Sequence, residues 1–207
     1  CMLGRSLTEQ EQTQEAKLSY FSVKEAVFPF VKFPGVDPIL GPEMKSTGEV
    51  MGVGFSFGEA FAKSQLAAGI TIPSEGTVLI SVRDEDKKPM LSVASELISL
   101  GFSIIATSGT HAILQENNIK SQRVNKVAQG SPHVVDMISN NEVNLIVNTT
   151  QDKKAIIDSA LIRREALQQK VCYTTTLTGA KALIEALRCG PLDTVRRLSL
   201  IQSEYVN

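Results

Sequence analysis

From residue 77 onward the chain alternates short, unbroken apolar runs with longer amphipathic stretches. Thr77-Val-Leu-Ile-Ser-Val82, Phe102-Ser-Ile-Ile-Ala106 and Asn144-Leu-Ile-Val147 are rich in β-branched residues and predict strands buried on both faces. Val171-Cys-Tyr173 predicts a last parallel strand, and a short third element falls at 122–124. The stretches between them carry helical spacing. Residues 87–100 place Leu91, Ala94, Leu97 and Ile98 on one face and stop at Gly101. Residues 133–140 turn Val134, Met137 and Ile138 inward, and 154–168 do the same with Ile157, Ala160, Leu161 and Leu167. Residues 177–187 form the last helix. This rhythm predicts an α/β fold, a doubly wound parallel sheet, with ligands held outside the carboxyl ends of the strands.

The first 70 residues do not share that rhythm. Residues 1–17 are polar and read as loosely held. Residues 20–30 mix apolar and polar positions as extended structure, with Pro29 marking an edge or a strand end. Residues 33–43 carry three prolines and two glycines, which is loop chemistry, yet Val36, Ile39 and Leu40 suggest a loop packed on something. Ser46-Thr-Gly-Glu-Val-Met-Gly-Val-Gly54 reads as a further Gly-rich loop lying against another domain. Ser56 and Glu59 have capping-box spacing for a helix over 57–68 that buries Phe61 and Leu66 and ends at Gly69. A boundary falls near residue 70. The final stretch, 192–206, reads equally as a strand or an amphipathic tail.

The strand ends supply the chemistry. Thr107-Ser-Gly-Thr110 joins a buried strand to a helix over 111–117, with Gly109 placed to allow a positive φ and Thr110 to cap the helix. Backbone N–H groups, hydroxyls and a helix N-terminus then converge as an anion pocket. The other strand ends add Ser81 and Lys87, Asn125 and Lys126, Asn148-Thr-Thr150 with Lys153-Lys154, and Tyr173-Thr-Thr-Thr176. Ammonium groups, hydroxyls and amides in that arrangement suit a phosphorylated small molecule. No carboxylate is placed as a base: Asp84, Glu85 and Asp86 read as a solvated charge run, and Asp152 as a helix cap.

Bulk properties narrow the choice. Hydrophobic residues make up 43% and charged residues 21%, as in globular proteins. A net charge of −1 gives no global field for nucleic acid. No apolar run is long enough to cross a bilayer and none reads as a signal peptide. The three cysteines, Cys1, Cys172 and Cys189, lack CxxC spacing and fit a reducing cytoplasm, with Cys172 buried and inert inside a strand. Neither His111 nor His133 has metal-ligand spacing with them, and no nucleophile–base arrangement or Walker loop is present. The pocket thus reads as one that holds a phosphate without acting on it. The opening Cys1 in place of Met suggests a piece of a longer polypeptide, although unusual processing or an edited sequence would look the same.

Several words of the chain resemble one family closely. Phe21-Ser-Val-Lys-Glu-Ala-Val-Phe-Pro-Phe30, Lys32-Phe-Pro-Gly-Val-Asp37, Gly41-Pro-Glu-Met44, the run Ser46 to Gly54, Val124-Asn-Lys-Val127 and Asn148-Thr-Thr150 are similar to the C-terminal end of bacterial carbamoyl phosphate synthetase large subunits. The resemblance covers nearly the whole chain. It implies that residues 1–69 close the second ATP-grasp half, which makes carbamoyl phosphate. It implies that residues 70–207 form an allosteric domain of the methylglyoxal-synthase-like fold, binding UMP as inhibitor and IMP as activator. By position, Ser81, Lys87, Thr107, Thr110, Lys126, Asn148 and Thr150 match nucleotide contacts, with Lys153 where relatives often carry arginine. His111 stands where relatives usually carry a small residue and could alter the pocket rim. Glu25, Phe28 (through its carbonyl), Tyr173 and Thr175 match ornithine contacts between the two parts.

The same resemblance implies that the ATP and metal sites lie in the parent upstream of Cys1. This piece alone would then be catalytically inactive, with no cofactor of its own. The parent is implied to be a cytoplasmic carbon–nitrogen ligase of arginine and pyrimidine biosynthesis. It would use bicarbonate, glutamine-derived ammonia and two ATP with Mg or Mn and potassium, with a glutaminase small subunit and homo-oligomerisation. Two other readings stay open. One is an enzyme of the same fold: a methylglyoxal-synthase-like lyase acting on a triose phosphate, or the cyclohydrolase domain of purine synthesis. The other is an interaction domain in which residues 1–69 are the working part.

Overall fold

The computed structural model describes residues 1–11, 13–14, 18–27, 48–150 and 153–190, with 192, 197 and 199 beyond them. The Pro/Gly-rich stretch 33–43, Phe28, Asp152 and most of 192–206 lie outside the described residues.

The centre is a five-stranded, all-parallel sheet. Its strands are β3 (Thr77–Ser81), β4 (Ser103–Thr107), β5 (Gln122–Val124), β6 (Leu145–Asn148) and β7 (Cys172–Thr174). They lie in the order β5-β4-β3-β6-β7. The chain starts in the middle, moves outward through β4 to β5, then returns to the other side of β3. That reversal makes the gap between β3 and β6 the switch point, where a doubly wound sheet leaves a crevice at its carboxyl end. Register there pairs Ser81 with Asn148 across β3 and β6.

Both faces of the sheet are covered, which is why its central strands β3, β4 and β6 are largely apolar, while the edge strand β5 keeps Gln122 and Arg123 exposed. On one face Val78, Ile80, Ile104, Ala106, Leu145, Val147 and Cys172 pack under α2 (Lys87–Ser99), α3 (Ser108–Glu116) and α6 (Leu177–Arg188). On the other, Leu79, Ile105, Val124 and Ile146 pack under α4 (Val134–Ser139) and α5 (Lys153–Gln168). Of α5, side chains are described from Asp158 onward. Burial pushes the Cys172 thiol up to about 12, so it stays protonated and inert, in line with its reading as a core residue.

The N-terminal part differs from its expected form. The Gly-rich run expected as a loop is a strand, β2 (Gly48–Gly54), paired antiparallel with β1 (Phe21–Val27). The helix α1 (Phe57–Ala67) lies on this ribbon. Its glycines explain the strand. A Cβ at Gly52 would run into the backbone of Ala60 and Ser64, and one at Gly54 would meet Ala60 and Glu59. The Gly-rich composition is therefore the mark of a helix lying backbone-close on a strand. For the same reason α1 buries small residues (Gly58, Ala60, Ala62, Ser64) and Gln65, while Phe61 is half-buried and Leu66 is 57% exposed, against the expected burial of both.

The capping of α1 is also modified. Ser56 Oγ accepts from the Glu59 N–H at 3.2 Å, as its spacing predicts, but the Glu59 carboxylate accepts from Phe55 N at 2.9 Å, one residue before the cap. Gly69 follows the helix with φ +81°, the left-handed stop expected of it.

Two other helices are rotated from expectation. In α2 the buried residues are Met90, Val93, Ala94 and Leu97, while Leu91 is half-buried and Ile98 exposed. In α5 the buried face is Ser159, Ile162, Arg163 and Ala166, with Ala160, Leu161 and Leu167 half-buried. Among the described residues no helix is long and apolar enough to cross a membrane.

Candidate functional site

At the switch point the carboxyl ends of β3, β4 and β6 open into a hollow of about 530 Å³. Seven of the eight expected nucleotide contacts line it: Ser81, Lys87, Thr107, Thr110, Lys126, Asn148 and Thr150. These residues come from four strand ends and the first turns of α2 and α3. The fold has brought together groups up to 69 positions apart in sequence by the ordinary geometry of a parallel sheet. The eighth, Lys153, opens α5, and its side chain lies outside the described residues.

The floor is a set of buried polar groups. Ser81 and Thr107 hydroxyls share a hydrogen bond of 3.1 Å across β3 and β4. Thr110 does not cap its helix. That helix starts two residues earlier, with Thr107 as its N-cap, and Thr110 Oγ1 accepts from Val82 N at 3.3 Å. Gly109 lies in the first turn of α3 and has no positive φ, contrary to expectation. Its small size has another use: a Cβ there would stand 3.0 Å from Lys87 Nζ. The glycine lets the Lys87 ammonium approach the α3 N-terminus, where the helix dipole also favours an anion. Thr149 Oγ1 accepts from Arg83 N at 3.1 Å, and Thr149 N donates to Ser81 O at 3.1 Å, which ties the two central strand ends together.

The wall contains residues the sequence reading left out. Asp84 and Glu85, expected as a solvated run, line the hollow, and so does Asp158 from α5. The Asp84 side chain is 93% exposed, but its carboxylate pairs with Lys87 Nζ at 2.7 Å. The hydrogen bond from Lys87 and the Lys87 charge hold the Asp84 carboxyl below its ordinary value against desolvation, with a lesser push from Lys126. Arg83 belongs to the same loop and pairs with Asp86 at 2.8 Å. Carboxylates thus stand at the wall of the hollow, with Asp84 tied to Lys87. Ser159 and Ile162 complete the α5 side, and Val127 and Val134 add an apolar patch. The signal for the α5 residues was their spacing: positions 158, 159 and 162 share one helix face directly after the switch-point strand.

His111 is not in this lining. Its Nδ1 shares a hydrogen bond of 2.9 Å with Ser121 Oγ, so it fastens α3 to the approach of β5.

The expected ornithine contacts stand apart from the hollow. Glu25 on β1 is half-buried and its Oε2 accepts from Gln65 Nε2 of α1 at 3.1 Å. Tyr173 lies within β7 and Thr175 just beyond it, while Phe28 is outside the described residues. Helix α1 packs on α6, the helix that follows β7, which carries the ribbon and Glu25 on that side of the molecule.

A second hollow of about 410 Å³ lies between α1, α6 and the start of the sheet domain, lined by Ala62, Leu66, Ile70, Ile72, Phe102 and Leu187 among others. Among the described residues it has no charged side chain in its lining, so the polar hollow at the strand ends is the better site on chemical grounds. Among the described residues no group of three or more His, Cys, Asp or Glu side chains could hold a metal ion.

Residues 89–175 match the model of the MGS-like domain. The chain is 59% identical over 197 residues to the carbamoyl phosphate synthase large chain of Pseudomonas putida, an alignment covering 95% of this chain and 18% of that one. It is 55% identical over 201 residues to the carbamoyl phosphate synthase large chain of Xanthomonas axonopodis pv. citri, covering 96% and 19%. The chain thus spans less than a fifth of the length of these relatives. Among solved structures it resembles a methylglyoxal synthase from Elizabethkingia anophelis, with TM-score 0.45 and 16% identity over 55% of this chain and 79% of that one. Residues 89–175 therefore carry an MGS-like domain, in a chain similar over nearly its whole length to part of the carbamoyl phosphate synthase large chain.

Proposed function

We propose that this chain is the regulatory C-terminal part of a glutamine-hydrolysing carbamoyl phosphate synthase large chain. On this reading residues 70–207 are the effector domain and residues 1–69 the end of the carbamoyl-phosphate-forming ATP-grasp half. The hollow at the β3/β6 switch point binds a nucleoside monophosphate, UMP or IMP. One observation carries this most: two ammonium groups, Lys87 and Lys126, share a single hollow with buried hydroxyls and an apolar patch. A phosphate suits the first set of groups, and a flat base suits the patch of Val127, Val134 and Ile162.

The rest of the proposal extends the similarity to carbamoyl phosphate synthase large chains. The parent makes carbamoyl phosphate from bicarbonate, glutamine-derived ammonia and two ATP, with its metal and potassium sites in the four-fifths of the relatives outside this chain. It works with a glutaminase subunit, self-associates, and serves arginine and pyrimidine biosynthesis in the cytoplasm. Ornithine is held by Glu25 with Tyr173, Thr175 and the Phe28 carbonyl, at the junction of the two parts. Effector coupling of about 1–3 kcal/mol is the usual scale. Helix α1, packed on both the ribbon and α6, is a physical link between the two parts.

Calorimetric titration of the chain with UMP tests the reading. Binding is expected, weakened roughly 5- to 20-fold in Lys126→Ala by loss of one charge-assisted contact at an exposed ammonium. Unchanged affinity in the variant would remove Lys126 from the site.

A second reading, a lyase acting on a triose phosphate, is favoured by one feature: Asp84, Glu85 and Asp158 stand in the hollow, and such a reaction needs a carboxylate base. Against it, Asp84 is held in its charged form by Lys87 and is too weak a base to abstract a carbon-bound proton readily. Release of methylglyoxal from dihydroxyacetone phosphate by the purified chain would favour this second reading.

A further inference from the structure

We infer that Ser159 is a positioning residue that decides which end of the Asn148 amide serves the hollow; this rests on the phosphate-binding reading above. Asn148 closes β6 at the switch point and is 2% exposed, and Ser159 on the facing turn of α5 is 4% exposed. Both form part of the hollow's wall. The Ser159 hydroxyl donates to Asn148 Oδ1 at 3.3 Å.

A side-chain amide has the same shape either way round, but one end only accepts and the other only donates. With its oxygen engaged by Ser159, Asn148 turns its nitrogen away from Ser159. That nitrogen is buried and, among the described residues, has no hydrogen-bond partner. Elsewhere on the floor the Ser81 and Thr107 hydroxyls bond each other, while the Thr110 and Thr149 oxygens accept from Val82 N and Arg83 N. The Asn148 nitrogen is thus a buried amide donor of this lining left for an incoming group, beside the Thr110 and Thr149 hydroxyls, whose protons these bonds do not use. A buried unmade donor is costly, so a ligand oxygen that meets it gains by satisfying it.

The partner this favours has an acceptor-only group, a phosphate or carbonyl oxygen. A reversed amide would present its own oxygen and repel that group. Ser159 therefore contributes to ligand choice without touching the ligand.

The test compares Ser159→Ala, Ser159→Thr and Asn148→Asp in the 207-residue chain, titrated with UMP by calorimetry and followed by ¹⁵N NMR. Ser159→Ala is expected to weaken UMP binding about 3- to 10-fold with an unchanged melting temperature, and Ser159→Thr, which keeps the hydroxyl, to restore it. Asn148→Asp, which replaces the donor by an anion, is expected to weaken binding by 100-fold or more. The Asn148 side-chain N–H resonances move on UMP addition in the wild type and in Ser159→Thr, and not in Ser159→Ala. If the wild type binds UMP and Ser159→Ala binds it equally well, or if the Asn148 resonances stay still in the wild type, the role of Ser159 is overturned while the site reading stands. If the wild type binds no UMP at all, both fall.

Discussion

Lys87→Met lowers UMP affinity by about 10- to 100-fold. The Lys87 side chain is only 24% exposed and its ammonium is anchored at Asp84. Gly109 keeps the approach to the α3 N-terminus open beside it. A hydrogen bond to a charged group contributes about 1.5–3 kcal/mol, and each 1.4 kcal/mol is a factor of ten in affinity. The methionine retains an apolar stem, so packing along α2 changes little and the effect reports on charge. Calorimetry with UMP measures it, alongside a thermal melt to show that the fold persists. A loss of less than twofold would place the phosphate elsewhere. Asp84→Asn should act in the opposite direction and strengthen binding, because it removes the anion that competes for Lys87.

Gly58→Val destabilises the protein by about 3 kcal/mol, the upper part of the range for forcing extra atoms into a packed contact. Gly58 lies where α1 crosses α6. A Cβ at this position would press on the Glu185 carbonyl and stand 2.7 Å from Cys189 Sγ. A carbonyl inside a helix cannot rotate away as a side chain would, so α1 must lift off α6. The β-branched replacement also returns less helix propensity than Ala would. For a chain of this size the melting temperature should fall by roughly 6–12 °C. A melting temperature within 2 °C of the wild type would show that the α1–α6 contact is loose, and with it the proposed link between the two parts.

The sheet was legible in the sequence because its central strands carry one clear signal: short β-branched runs with nothing polar inside, such as Leu145-Ile-Val147. Those runs and the helical stretches between them predicted the parallel topology, and topology predicted where Ser81, Thr107 and Asn148 would meet. The errors share a cause. Helix α1 was judged by its large residues, Phe61 and Leu66, but it packs through small ones against glycines. Close backbone approach, not hydrophobicity, sets its phase. In α2 two overlapping apolar stripes exist, and the choice between Leu91 and Met90 depends on the sheet below, which no local window contains. The carboxylates at 84 and 85 are solvated as a charge run reads, with side chains 93% and 64% exposed, but the run did not show that the turn Asp84–Asp86 folds back beside Lys87 at the hollow. Asp158 and Ser159 became visible only when α5 was seen to cross the strand ends.

The central claim is that one hollow at the switch point holds a nucleotide phosphate. Backbone amide NMR during a UMP titration tests it most directly. The account predicts saturable shifts concentrated in four stretches: residues 81–87, 107–110, 126–127 and 148–150. Shifts that gather around the apolar hollow near Ala62, Ile72 and Leu187, or that are absent at millimolar UMP, would contradict it.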